Sequence, residues 1–486
     1  MSAPAPAPPP AVATALAALE ATPKASPSRA GLWLAVARAW TAAGEAAAAA
    51  PGSAVADDGS NHGPDAPAEC HERAYAAYAS GLRELRESNG QSPSDEEAES
   101  LLSSGRMSAL AALAAAPPAP PVPLPPPAEK TIKRVFVASD LHVDQPLPWR
   151  CDCWGGGSSS SSSSPPPSPP KTGIDWVLGL ARDDEACLVV AGDVADSLRG
   201  TLLALAELRG RYARVFFVPG NHDLFLRGED ARAFPDSWCK LFALRRACAR
   251  LGVETAPAAV AVAGAGAGAG AGAVAGAGAA TAVVVVVVAP LLSWYDDGAF
   301  CGEGAAPPSL LLRHDAPCDW GAVRDADVFR VALSLARREM ATAARAAAAA
   351  AAAAPSGPPA SVLLLTATHF LPRPELPHNH GVMSRAMGCA SLGAAVLPAL
   401  AGAVCAAAAG GGEAGHGGHH IHAYGHSHVD CDRDDLGDGV RYVSRALGSV
   451  ASARPRSPPG DRAGAAARST CRCFEPLLVW EDASSP

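Results

Sequence analysis

The chain of 486 residues carries a net charge of −9 at pH 7, so it has no basic footprint and long nucleic acids are disfavoured as partners. Ala, Gly, Pro and Ser are concentrated in patches that cannot build a packed core, and the length therefore predicts one large domain and one small one. The 13 cysteines are odd in number, and the closely spaced pairs Cys151/Cys153 and Cys471/Cys473 do not match zinc spacing, so a reducing compartment is the simpler expectation.

Residues 1–27 are rich in Ala, Ser and Pro, with no basic start leading into an apolar core. They read as a disordered or plastid-targeting segment, with the cytoplasm as the default location. Residues 28–90 have helical spacing: Trp33, Val36, Ala37, Trp40 and Gly44, then Ala74, Tyr78, Gly81 and Leu82. The pattern resembles one tetratricopeptide-type helix pair split by a loop, which would offer a surface to a protein partner. A lone repeat cannot bury its own face, and the same residues also read as an amphipathic hairpin packed on the main domain. Residues 91–130 read as a Pro/Ala-rich linker.

The main domain is expected over 131–482. Strands are predicted at 134–138, 188–191, 215–218, 283–288, 362–365, 421–424, 440–444 and 476–480, and helices at 174–182, 198–208 and 327–353. A further helix starts at Asp236 or Ser237 and stops at Gly252. Low-complexity inserts, expected to be disordered, interrupt the domain at about 151–170, 256–282, 342–360 and 396–418. The βαβαβ rhythm predicts an α/β fold, with two facing mixed sheets flanked by helices and a small helical region before them. Two uncharged stretches, 256–295 and 386–412, are long enough for a membrane span of about 20 residues. They lie between motif blocks that must meet in one site, so no membrane is expected.

Those blocks carry the chemistry. Asp140-Leu141-His142, Gly192-Asp193, Gly220-Asn221-His222-Asp223, Thr368-His369 and Gly425-His426-Ser427-His428 each close a run of β-forming residues, so each places its side chains at a strand's carboxyl end. Hydrolysis of a phosphate ester needs a strong nucleophile at neutral pH and neutralised charge on the attacking and leaving oxygens. Two metal ions about 3.5–4 Å apart provide both, and a bridging carboxylate offsets their mutual repulsion. Asp193 is the candidate bridge. Asp140 and His142 grip one ion, Asn221 and His369 complete the shell of the other, and His426 and His428 give one imidazole to each. Carboxylate and imidazole ligands suit manganese, iron or zinc, as divalent or mixed-valence ions, better than calcium. His222 is left free to protonate the leaving oxygen or to stabilise the equatorial charge.

At these residues the chain resembles the calcineurin-like metallophosphoesterase superfamily, and Gly192–Asp196, Val218–Asp223, Pro290–Tyr295 and Thr368–Arg373 look like its plant-type soluble branch. The resemblance implies a four-layer sandwich with one ion on Asp140, His142, Asp193 and His428 and the other on Asp193, Asn221, His369 and His426. It also implies that His222 is the catalytic histidine.

No block is specific alone; their joint order is the signal. An isolated His369 would more often be a core residue, and His422 reads as structural. Asp144, Asp196 and Asp223 read equally well as orienters of histidines and as loop carboxylates. Arg373 suits a bidentate phosphate clamp or an ordinary surface position. His416, His419 and His420 read as a metal-feeding tract or as low-complexity drift. The function expected is hydrolysis of a small phosphorylated substrate by in-line attack of a hydroxide held by two metals. The alternative is a catalytically silent adaptor that binds a partner through residues 28–90, although such proteins usually lose a ligand and this chain keeps them all.

Overall fold

Alternation with period two runs through the central strands of the main domain and sorts their side chains onto two faces. The computed structural model describes residues 8–23, 29–49, 67–87, 93–115, 132–145, 173–262, 284–296, 300, 317–321, 323–353, 361–378, 386–398, 402, 419–447 and 476–481. In chain order the elements are helices α1 (Pro10–Ala21), α2 (Arg29–Ala49), α3 (Pro67–Glu87) and α4 (Pro93–Ala115), then β1 (Arg134–Ala138), α5 (Gly173–Gly179), β2 (Asp183–Ala191), α6 (Leu198–Arg209) and β3 (Tyr212–Val218). The short helices α7 (Asn221–Leu224) and α8 (Gly228–Ala233) follow, then α9 (Ser237–Leu251), β4 (Ala258–Val262), β5 (Val284–Pro290), α10 (Asp325–Ala353) and β6 (Ser361–Ala367). The chain ends with β7 (His419–Ala423), β8 (Cys431–Arg433), β9 (Val440–Ser444) and β10 (Leu477–Glu481).

The strands form two sheets, ordered β10-β1-β2-β3 and β4-β5-β6-β7-β9-β8. Strands β1–β3 are parallel, as are β5, β6, β7 and β9, while β10, β4 and β8 are antiparallel edges. Val135, Val189 and Phe216 of the first sheet share one core with Val286, Leu365 and Ile421 of the second, so the sheets face each other. Their neighbours point the other way. Leu188, Val190 and Phe217 pack under α6 and α9, and Val287, Val362 and Leu364 pack under α10. The layers are therefore helix, sheet, sheet, helix, and the valine run before Pro290 is long and apolar because both of its faces are covered.

Helix α9 begins at Asp236, whose carboxylate accepts from the Cys239 N–H at 2.8 Å, and ends at Gly252, which has the left-handed φ of 71° that closes a helix.

Several expectations are corrected. Residues 10–21, for which disorder was one expectation, form α1, with Val12 and Leu19 buried. Most of the supposed linker 91–130 is α4, which buries Leu102 and Leu110 in the core that also holds α2 and α3. Its Ser and Gly content masked an apolar stripe. The start of the 256–282 insert is an edge strand, β4, zipped antiparallel to the valine run of β5. The alanines over 342–353 form the end of α10, which bears out the helix expected over 327–353 and corrects the start of the insert placed at 342–360, and Leu397 is buried beyond a π-helical turn over Leu392–Val396. The 151–170 insert and most of 396–418 lie outside the described residues. No described helix is long and apolar enough to cross a membrane.

On the face of the second sheet turned from the inter-sheet core, a hydrogen-bonded chain fixes two neutral histidines. The Thr368 hydroxyl donates to the Phe370 carbonyl (2.9 Å), so His422 Nε2 donates to Thr368 Oγ1 (3.0 Å) and His422 Nδ1 accepts from the Thr366 hydroxyl (2.7 Å). Thr366 in turn accepts from His420 Nε2 at 2.8 Å. Burial pushes the His420 pKa down to about 4 and that of His422 well below the usual histidine range. The unfolded chain binds these protons near pH 6.5 and the folded chain does not, so stability falls as pH drops from 6.5 towards 4. For His420 the loss is about 3 kcal/mol at most. Urea unfolding of chelator-treated protein should show this slope, and His420→Gln should flatten it. An unchanged slope in the variant would refute the assignment.

Candidate metal centre

The parallel strands of both sheets end on one edge of the sandwich, and the polar blocks follow those ends. Asp140 and His142 come after β1, Asp193 after β2, Asn221 after β3, His369 after β6, and His426 and His428 after β7. The backbone turns abruptly there. Asp140, His142, Asp193, His426 and His428 have φ between 41° and 67°, and no other described non-glycine residue has positive φ. Each such residue costs about 1–3 kcal/mol, which persists where the surroundings over-determine it. Here backbone bonds do so: Asp140 N–H donates to the Gly192 carbonyl (2.9 Å) and His142 N–H to that of Asp193 (3.0 Å). Two glycines let the loops close up. A Cβ on Gly192 (φ 84°) would lie 2.4 Å from His369 Nδ1, and one on Gly220 would lie 2.2 Å from Asp193 Oδ1.

The result is two pockets of ligand atoms that share Asp193. One atom from each of Asp140, His142, Asp193 and His428 lies within 4.8 Å of the others, and the same holds for Asp193, His369 and His426. Asn221 joins the second group, its Oδ1 being 3.1 Å from His369 Nε2. Asp193 Oδ2 faces both groups, 3.2 Å from His369 Nε2 and 3.9 Å from His142 Nε2. All seven ligand candidates are buried except His428, whose side chain is 33% exposed.

The tautomers show what these groups suit. His369 Nδ1 is 2.9 Å from the Ala191 carbonyl and His426 Nε2 is 2.9 Å from that of Ala386. A carbonyl only accepts, so each of these nitrogens carries the proton. The other nitrogens, His369 Nε2 and His426 Nδ1, point at each other across 3.2 Å, with the Asn221 oxygen beside them. In the first group His142 Nε2 and His428 Nε2 are 3.3 Å apart, with the Asp140 carboxylate 3.3 Å from the latter. Electron pairs converging at such distances repel unless a proton or a metal cation lies among them. Nitrogen and carboxylate donors fit manganese, iron or zinc.

The electrostatics agree. Burial opposes a charge on His369, yet the Asp193 carboxylate raises its pKa to about 9, and burial together with His369 pushes His426 down to about 3. Burial alone would raise the carboxyl of Asp193, but His369 and His222 hold it well below the carboxylate range.

His222 is 23% exposed and donates no ligand atom to either group. Its Nε2 looks towards Asp193 Oδ2 at 3.9 Å, and its Nδ1 is 2.6 Å from Asp196 Oδ1. Asp196 is also paired with Arg227, whose guanidinium lies 4.6 Å over the Phe225 ring. Asp223 orients no histidine directly. Its carboxylate accepts from the N–H groups of Gly220, Asp193, Val194 and Ala195 at 2.8–3.3 Å and so ties the Asn221 loop to the Asp193 loop. Asp144 accepts from the Asp196 N–H at 2.8 Å, one step further out. Arg373 is not an open clamp, because Glu375 and Asp438 occupy its guanidinium. His419 and His420 lie in β7 and join neither group, and His416 lies outside the described residues. The carbonyls of Ala191 and Ala386, which set two tautomers, leave no trace in a sequence.

No protein-family model and no curated protein matches the chain. Among solved structures it is similar to the crystal structure of phosphopantetheinyl hydrolase (PptH) from Mycobacterium tuberculosis, with 20% sequence identity over 67% of this chain and 93% of that one, at a TM-score of 0.38. The functional reading therefore stands on the site's own geometry.

Metal titration checks that geometry. Asp193→Ala should lose both ions, whereas His142→Ala and His426→Ala should each lose one; equal loss in all three variants would contradict two groups joined at Asp193. A proton on His369 Nε2 competes with a cation, so apparent affinity should fall as pH is lowered below about 9. Calorimetry in buffers of different ionisation enthalpy should register about one proton released per chain at pH 7. No release would show that the nitrogen is already bare.

Proposed function

We propose that this protein is a metal-dependent phosphoesterase that works across the Asp193 bridge, with His222 as proton donor to the leaving oxygen. The observation that carries the reading is the convergence of imidazole nitrogens and carboxylate oxygens on both sides of Asp193, with a partly exposed histidine that belongs to neither group at its rim. Divalent cations held by these residues would neutralise charge on phosphoryl oxygens and make water a nucleophile at neutral pH.

The chain's own residues supply the rest. Asp140, His142, Asp193, Asn221, His369, His426 and His428 fix the geometry of the site, and their strained backbones leave little freedom to relax it. His222 presents Nε2 to the site while Asp196 holds Nδ1, which selects the tautomer with a proton on Nδ1 or the doubly protonated ring. Against the opposing effect of burial, Asp193 and Asp196 raise its pKa above the usual histidine value, which favours the doubly protonated ring. That form can donate from Nε2. The net charge of −9 favours a compact phosphorylated substrate over a polyanion. Monoesters, diesters and pyrophosphates all suit this core.

Hydrolysis of a panel of those three classes should follow chelation and refilling with manganese, iron or zinc. His222→Ala should lower kcat by about 10²–10⁴ on alkyl esters at unchanged metal content. Turnover that survives removal of all metal, or a fully active His222→Ala, would contradict the reading.

A further inference from the structure

Helices α2–α4 are fused to the walls of the site. Tyr75, Tyr78 and Leu102 belong to one hydrophobic cluster with Trp238 of α9, and with Leu224 and Phe370, which directly follow Asp223 and His369 in the chain. Polar contacts fix the same seam. The cap residue of α9, Asp236, uses Oδ1 on the Cys239 N–H, and its Oδ2 accepts from Tyr75 Oη of α3 (2.9 Å) and from Arg106 Nη1 of α4 (3.3 Å). All of these groups are buried. The start of α9 is therefore held by the N-terminal helices.

That start holds the loops of His222. Ser237 Oγ donates to the Leu224 carbonyl at 2.9 Å. One turn on, Lys240 is wholly buried, and its Nζ donates to the Phe225 carbonyl (2.7 Å) and the Asp196 carbonyl (2.9 Å) and pairs with Asp230 (2.9 Å). A buried charge pair is no more stabilising than well-packed apolar residues of equal volume. What Lys240 adds is position. It joins the segment carrying His222 to the loop carrying Asp196, the two sides of the 2.6 Å bond between His222 Nδ1 and Asp196 Oδ1.

We propose that Lys240 is a positioning residue for His222, and that the N-terminal helices act through α9 to keep it in place. This inference rests on the reading of His222 as donor to the leaving oxygen. It makes the helical layer a working part of the catalytic body rather than a separate partner-binding module.

A leaving-group comparison in full-length, metal-loaded protein tests it. Proton donation matters for an alkyl phosphate, whose leaving oxygen is strongly basic, and hardly at all for 4-nitrophenyl phosphate. Lys240→Met keeps the stem and removes the ammonium. It should lower kcat on the alkyl ester about tenfold or more and on the nitrophenyl ester less than about threefold, with KM and metal content unchanged. Tyr75→Phe, which removes one hydroxyl, should show the same selective loss at a few-fold size, and it carries the test if Lys240→Met does not fold. Equal losses on both esters, or none, overturn the positioning role. A selective loss in His222→Ala with none in either variant overturns this inference alone. No selective loss in His222→Ala overturns the reading of His222 and this inference with it.

Discussion

The carboxylate of Asp193 is the constraint around which the rest is arranged. One of its oxygens faces His369 at 3.2 Å and His142 at 3.9 Å, and the other accepts the backbone N–H of His222 at 2.9 Å, so a single side chain joins the two groups of candidate ligands and places His222 beside them. Such a group, wholly buried, is tolerated only with compensation. The compensation is visible in the left-handed turns at the strand ends, in the glycines that admit His369 and Asp193 to van der Waals range, and in the backbone bonds that hold the turns. Strain and charge are concentrated in one place, while the two sheets and their helices are regular.

That division of labour follows from the layers. The inter-sheet core is apolar and close-packed, so the sheets act as a rigid frame and the loops on one edge inherit its precision. The two sheets each supply part of both groups. Asp140, His142 and Asp193 come from the first sheet and His428 from the second, and a shift between the sheets would pull the first group apart. The bridge from Ser139 to Ala446 ties them beside the site, with Ser139 N–H donating to the Arg445 carbonyl at 2.8 Å.

The clustering of the candidate ligands was largely legible in the sequence because metal-ligand chemistry is restrictive. Few residue types serve, and they must close strands. Asp140, His142, Asp193, Asn221, His369, His426 and His428 are brought together as their order implied. The main strands were legible from their hydrophobic runs, and α9 from its cap and its terminal glycine. What stayed hidden was weak in local pattern. The helix α4 looked like a linker because Ser103, Ser104 and Gly105 interrupt its apolar stripe; Gly105 lies so close to the Tyr78 ring that a Cβ would clash with it, at 2.3 Å. The edge strand β4 looked like insert because only its pairing with β5 distinguishes Ala and Val there from the sequence that follows. For Arg373 the sequence left a clamp and an ordinary surface position open, because one of its ion-pair partners, Asp438, is remote in sequence. Lys240 could not be singled out at all, since three of its contacts are to backbone carbonyls or to a carboxylate brought near only by folding.

The most direct measurement of the central claim is anomalous diffraction from crystals of the manganese-loaded protein, recorded at an energy where that ion alone scatters strongly. Two peaks about 3.5–4 Å apart, one on either side of the Asp193 carboxylate, are the expected result. A single peak, or two peaks that do not share Asp193, would contradict it.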